Sequence, residues 1–214
     1  MNNEIPSVIK KKFISRLKHQ GINNVKVLEA MSSIPRHLFV EPAFSGRAYD
    51  DDALPIGFKQ TISSPYIVGK MSQLLIEEDK MNKVLEIGTG CGYQTFILSQ
   101  LFNTVTTIER IEQLQLKTQK LFIKYDLKNI KSIYGDGHVG YKNNAPYDAI
   151  IMTASPSEIP KKLVDQLTES GRMILPLNEK GVQKLYRIKK TKNGLLKKEV
   201  DDVLFVPMLK GVSR

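Results

Sequence analysis

Residues 84–92, Val-Leu-Glu-Ile-Gly-Thr-Gly-Cys-Gly, constrain the fold of this chain more than any other stretch. Val84, Leu85 and Ile87 suit a buried strand, and they lead straight into glycines at 88, 90 and 92. Helix-forming residues follow from Tyr93 to Phe102. A strand, a tight glycine turn and a helix N-terminus make a cradle for a nucleotide-like ligand. The orphan N–H groups of the helix face such a ligand, and glycine lets the backbone approach it where a Cβ would collide. The spacing is GxGxG, with Tyr93 where a dinucleotide fingerprint places its third glycine. That departure argues against NAD and for another adenosine cofactor.

The chain beyond residue 81 alternates strand and helix, which predicts a mostly parallel, doubly wound α/β sheet with helices on both faces. Strands are expected at Val84–Ile87, Thr104–Ile108 (ending at Glu109), Asn129–Tyr134 and Ala149–Thr153. Helices are expected over 94–102 and 111–125. Pro160 suits the first turn of a further helix running to about Gly171, before a fifth strand at Met173–Leu177. Leu185, Tyr186 and Ile188, then Asn193-Gly194, then Val203–Val206 predict a closing β-hairpin. The first 80 residues break the repeat. They read as a helical cap, with Val8, Ile9, Phe13, Ile14 and Leu17 on one side of its first helix, followed by an irregular loop over about 42–65. Ser64-Pro65 then opens a helix from Tyr66 to Leu75. Long loops inside compact domains are often functional.

A chain of 214 residues suits one domain spanning 1–214, with the cap and loop in 1–80 and the ligand-binding core in 81–214. No apolar run approaches the roughly 20 residues that cross a bilayer, and the N-terminus lacks a signal core. The lone Cys91 cannot form an internal disulfide, and its economical reading is a buried small hydrophobe. A cytoplasmic, monomeric protein without a structural metal is the expectation. The net charge of +10 leaves two readings open. Eight Lys or Arg and no acid lie between Lys180 and Lys198, which either form a nucleic-acid surface or the solvated face of the hairpin. The basic residues are mostly Lys, with no aromatic interleaving suited to base stacking, so the second reading is preferred and nucleic acid is not expected as a partner.

The chain resembles the protein-L-isoaspartate O-methyltransferases, enzymes that use S-adenosylmethionine. The resemblance is carried by IPRHLFV (34–40), AYDDDALPIGFKQTISSPYIVGKM (48–71), VLEIGTGCGYQT (84–95), GDG (135–137), APYDAIIMTA (145–154), LVDQLTESGRMILPL (163–177) and FVPM (205–208). It covers nearly the whole chain. The glycine turn occurs in many methyltransferases, whereas IPRHLF and LPIG joined to TISSPY are more particular.

The resemblance implies a Rossmann-like class I methyltransferase. Gly88, Gly90 and Gly92 would shape the pocket for the methionine and ribose parts of the cofactor. Glu109, at the end of the second strand, would accept hydrogen bonds from the ribose hydroxyls. Asp136, beside Gly137, would face the adenine amino group, and Glu86 would reach toward the cofactor's amino group. Each has a plainer alternative: Glu109 as an acid favoured near a helix N-terminus, Asp136 as a turn residue, Glu86 as a polar strand position. Within Thr61-Ile62-Ser63-Ser64-Pro65, Thr61, Ser63, Ser64 and Pro65 form the implied substrate segment. Ser63 is the expected catalytic hydroxyl, and Ser64 is assigned the helix cap. The implied reaction esterifies the α-carboxylate of L-isoaspartyl residues in damaged proteins and peptides, and the ester then collapses to a succinimide that opens partly to normal aspartate. A carboxylate with a pKa of about 4 is already a nucleophile, so no strong general base is required. Two rivals stand: a methyltransferase for a dedicated peptide or RNA, and a non-catalytic relative. Thr153-Ala154-Ser155-Pro156 after the fourth strand is unlike the Asn-Pro-Pro-Tyr type segment of amino-group methylation of bases.

Overall fold

The computed structural model describes residues 4–76 and 82–214. The expected boundary between cap and core at 80/81 lies outside the described residues. Helix α1 (Ser7–His19) places Arg16, Lys18 and His19 in its last turn, where they complement the helix dipole. It buries Phe13 and Leu17, with Ile14 half-buried, but Val8 and Ile9 are 65% and 40% exposed. Its apolar side is thus shorter than the spacing predicts, because only its C-terminal half meets the core. Helix α2 (Val25–Ser33) is capped by the Asn24 side chain, which accepts from the Val27 N–H at 3.3 Å.

The region expected as an irregular loop is substantially ordered. After a 3-10 turn at Arg36–Phe39, it holds a second one (Pro42–Arg47) and a hairpin of β1 (Leu54–Gly57) and β2 (Gln60–Ile62). At the hairpin tip Phe58 and Lys59 both have positive φ, +53° and +57°. Left-handed backbone at two consecutive non-glycine residues carries no composition signal, which is why the strands escape the sequence reading. Helix α3 (Pro65–Leu75) follows. Ser64 caps it, its Oγ accepting from Ile67 N–H at 3.4 Å, and Pro65 occupies the first turn as expected.

The core is a seven-stranded sheet. In chain order it comprises β3 (Lys83–Ile87), α4 (Tyr93–Leu101), β4 (Thr104–Glu109), α5 (Glu112–Lys124), β5 (Ile130–Tyr134), β6 (Tyr147–Met152), α6 (Lys161–Val164), β7 (Leu167–Glu179), β8 (Val182–Thr191) and β9 (Gly194–Asp202). The spatial order is β5-β4-β3-β6-β7-β8-β9. Pairing is parallel from β5 to β7 and antiparallel from β7 to β9. The chain begins at β3, runs outward to β5, then returns to pair β6 against the other side of β3. That reversal is the topological switch point where open α/β sheets bind ligands, beyond the C-terminal ends of the strands. Alternate residues of β3 face opposite ways: Val84 joins the apolar cluster that includes Phe13, Phe96 and Phe122, while Leu85 and Ile87 join Ile150, Met173 and Leu163.

Two expected elements differ. The helix predicted from Pro160 to about Gly171 is only α6, four residues long, and the fifth strand already begins at Leu167. Leu167, 3% exposed, pairs with Tyr147, whereas Arg172 pairs with Ala149; residues 168–171 bulge out between them, with Ser170 at φ +68°. Burial of Leu167 on the sheet overrides the helical pattern. In the closing hairpin, β8 pairs with the polar run 194–202 rather than with Val203–Val206. The loop is the two-residue Lys192-Asn193, so register from that turn exhausts β8 before residue 203. Several lysines of the basic run are engaged within their own sheet. Lys184 meets Glu199 and Lys197 meets Glu179, each at 2.6 Å, and Lys190 donates to the carbonyls of Val164 and Leu167.

Candidate active site

One cavity opens at the switch point, lined by residues 60–64, by the glycine turn 88–91, by Glu109, Gly137 and Thr153, and by 204–209. The turn is held from several sides. Gly88 N–H donates to Ile108 O at 2.8 Å, and Thr153 Oγ donates to the carbonyls of Ile87 (3.0 Å) and Gly88 (2.7 Å). Gly88 has φ +97°, and a Cβ there would lie 2.3 Å from Thr153 Oγ1, so both backbone angle and space demand glycine. Gly92, at φ +89°, caps α4. Tyr93 lies under the turn, 1% exposed, and burial pushes its hydroxyl pKa well up. Cys91 is buried, and burial raises its thiol to about 11, consistent with an inert small side chain.

Glu109 is 4% exposed on the cavity wall. Its two oxygens accept from Gly90 N–H and Ile111 N–H, each at 2.9 Å. A carboxylate offers about four acceptor sites, so roughly two remain for the paired hydroxyls of a ribose. This remaining capacity, beside a turn whose backbone demands glycine at 88, fits an adenosine cofactor.

The other two implied cofactor acids sit differently. Asp136 is turned toward the C-terminal segment: its carboxylate accepts from His138 N–H, from the His138 ring and from Gly211 N–H, the last at 2.8 Å. Burial opposes its ionisation, but these donors outweigh burial and hold its pKa below the ordinary value. Gly137, not Asp136, is on the cavity wall. Glu86 is fully buried behind the turn, on the face of β3 that packs against α4. Its Oε2 accepts from Thr95 Oγ and Thr107 Oγ, both at 2.6 Å, and Thr107 Oγ lies 2.6 Å from Thr89 Oγ. Burial raises the Glu86 carboxyl to about 8; the two threonines lower it and nearby Glu109 raises it further. Glu86 thus reaches the cavity only through Thr107 and Thr89. The physical reason is the alternation of β3, which turns position 86 toward α4 rather than toward the cavity.

On the opposite wall, Thr61, Ser63 and Ser64 line the cavity as expected. Pro65 is buried in the first turn of α3 beneath them. The sequence reading missed one contributor. Arg36, 0% exposed, donates to the carbonyls of Ala48 (2.8 Å) and Ser63 (2.7 Å). Its signal was present: a lone arginine between Ile34 and Phe39, both buried. The extended segment after β9, which holds the FVPM motif, forms a further wall of the cavity with residues 204–209. It is tied to β6 through Ser155, which exchanges backbone hydrogen bonds with Val206 and Met208, each 2.8 Å. Tyr66 Oη donates to Asp201 at 2.7 Å, joining α3 to β9. Asp51 accepts from Tyr66 N–H and from the Gln20 amide, fastening the loop to α1.

A family model described as protein-L-isoaspartate(D-aspartate) O-methyltransferase matches residues 8–213. A protein-L-isoaspartate O-methyltransferase of Pseudomonas paraeruginosa is 45% identical over 202 residues, covering 94% of this chain and 96% of that protein. The same-named protein of Pseudomonas syringae pv. tomato is 44% identical over the same share. Among solved structures, a Plasmodium falciparum protein-L-isoaspartate O-methyltransferase in complex with S-adenosyl-L-homocysteine superposes with a TM-score of 0.81 at 26% identity. The match covers 94% of this chain and 99% of that one.

Proposed function

The chain belongs to the protein-L-isoaspartate O-methyltransferase family, and from that premise we propose how its residues methylate the α-carboxylate of L-isoaspartyl residues in damaged proteins. The observation that carries the reading is convergence. TISSP, GTGCG and the FVPM segment, far apart in the chain, line one cavity at the topological switch point. When bound, S-adenosylmethionine supplies an activated methyl group on a sulfonium. Gly88, Gly90, Glu109 and Gly137, which line the cavity, would hold it.

The protein's own contribution is positioning. An isoaspartyl carboxylate needs no base to become a nucleophile, so Ser63, assisted by Thr61, orients it by hydrogen bonding. Ser64 serves the helix cap. Residues 204–209 help exclude water. Broad sequence tolerance requires backbone contacts, and residues 203–206 are suited to provide them. The Gln183 side chain bonds both N–H and C=O of Phe205, at 2.7 and 3.0 Å, holding the segment extended. In an extended chain the N–H and C=O of Leu204 point the other way, and Leu204 is 90% exposed on the cavity. A peptide backbone could pair there as an added strand.

We further take the chain to act as one domain and a monomer in the cytoplasm, with nucleic acid not its substrate. The internal pairing of several hairpin lysines supports the last point. The test is transfer of label from methyl-labelled S-adenosylmethionine to an isoaspartyl peptide and to its normal aspartyl twin. Base-labile label on the first alone is expected; label on neither, or equally on both, overturns the reading. In Ser63→Ala, kcat/KM for the isoaspartyl peptide should fall at least ten-fold while affinity for S-adenosylhomocysteine stays within two-fold.

A further inference from the structure

Arg36 has no place in the chemistry above, yet it is among the largest fully buried side chains of the described residues. A buried guanidinium ordinarily pairs with a carboxylate, because desolvating an unpaired cation is costly. Here no ion pair forms among the described residues. The one acid whose charge acts on it, Asp51, is engaged by Tyr66 N–H and Gln20. The guanidinium instead binds carbonyls: Nε to Ala48 at 2.8 Å, Nη2 to Ser63 at 2.7 Å, with Asp52 O also 3.4 Å from Nη2. Its Cζ stands 5.0 Å from the centre of the Tyr93 ring, which underlies the glycine turn. One planar group therefore grips both ends of the 48–63 loop and rests against the first residue of α4.

We propose that Arg36 is the positioning residue of the substrate side. By clamping the backbone carbonyl of Ser63 to that of Ala48, it fixes where the Ser63 hydroxyl stands relative to the glycine turn. This inference rests on the function proposed above and adds a determinant to it. The clamp needs the fork of the guanidinium: a lysine ammonium preserves the charge but cannot span two carbonyls from one plane while lying over an aromatic ring.

The test compares Arg36→Lys and Arg36→Met with the wild type by isoaspartyl-peptide kinetics and by calorimetric titration with S-adenosylhomocysteine. The Met variant removes the cation without leaving a buried charge unpaired, so it keeps the experiment open should the Lys variant misfold. In both, kcat/KM for the peptide is expected to fall at least ten-fold, with S-adenosylhomocysteine affinity within three-fold of wild type. A Lys variant with wild-type kinetics overturns the clamp, as does a parallel loss of peptide turnover and cofactor affinity, which would mark a general structural role. If neither variant folds, the Arg36 Nε–H of the wild type decides by NMR: slow solvent exchange supports the clamp and fast exchange overturns it. Absence of isoaspartyl-dependent turnover in the wild type would instead refute the functional reading, and the proposal with it.

Discussion

Replacing Glu86 by Gln should make the protein more stable at alkaline pH and leave it nearly unchanged at acid pH. Glu86 is fully buried at the centre of the sheet, and its carboxyl is raised from an ordinary 4.5 to about 8. The folded state therefore retains a proton that the unfolded chain releases above about 4.5. Stability from this group is full below 4.5, declines as pH rises, and is gone above about 8. At about 1.4 kcal/mol for each pH unit, the whole window amounts to roughly 5 kcal/mol, an upper bound because the buried site relaxes. A glutamine is neutral throughout and can still donate to and accept from Thr95 and Thr107. Urea denaturation at pH 5, 6, 7 and 8 should show the Gln variant gaining on the wild type steadily, by up to about 4 kcal/mol at pH 8. Asp136 has the opposite sign, since its depressed pKa costs stability only as pH falls below its ordinary 3.8, outside this window. Parallel stability curves for wild type and variant would refute the assignment of a retained proton to Glu86.

Three further outcomes follow from the geometry. Gly88→Ala should lose about 2–4 kcal/mol in thermal or chemical denaturation, from left-handed strain plus collision with Thr153; an unaltered midpoint would contradict the turn geometry. Lys59→Gly should gain about 0.5–1 kcal/mol without altering peptide turnover, because φ +57° is strained for lysine, and a less stable variant would contradict this. Glu109→Ala should weaken S-adenosylhomocysteine binding about 100-fold by calorimetry, through two lost hydrogen bonds and loosening of Gly90 and Ile111. Unchanged affinity would remove Glu109 from the cofactor site.

Much of this protein is legible in its residues because local rules and the fold agree there. Apolar runs ending in glycine specify β3 and its turn, and short β-branched stretches specify β4 and β6, all within a residue or two of where they lie. Ser64 before Pro65 specifies a helix start. The misreadings share one cause. At 160–171 a helical pattern yields to the burial of Leu167 on the sheet, and at the closing hairpin the turn, not hydrophobicity, sets which residues pair. At Phe58-Lys59 the chain adopts a turn its residues disfavour, held by the pairing of β1 with β2.

The strand–turn–helix cradle, the parallel core and the family are readable from the residues alone, since each depends on periodicity, glycine spacing or motif. Which of the three acids lines the cavity depends on contacts between distant segments. Glu86, Glu109 and Asp136 are all acids at or just beyond strand ends, yet only Glu109 lies on the cavity wall, because strand alternation hides Glu86 and Gly211 draws Asp136 aside. The tertiary structure likewise placed Arg36 against Ser63 and drew residues 204–209 across the cavity. Those contacts join residues 27 positions apart or more, and a chain reveals such proximity only once the sheet has brought its distant segments together.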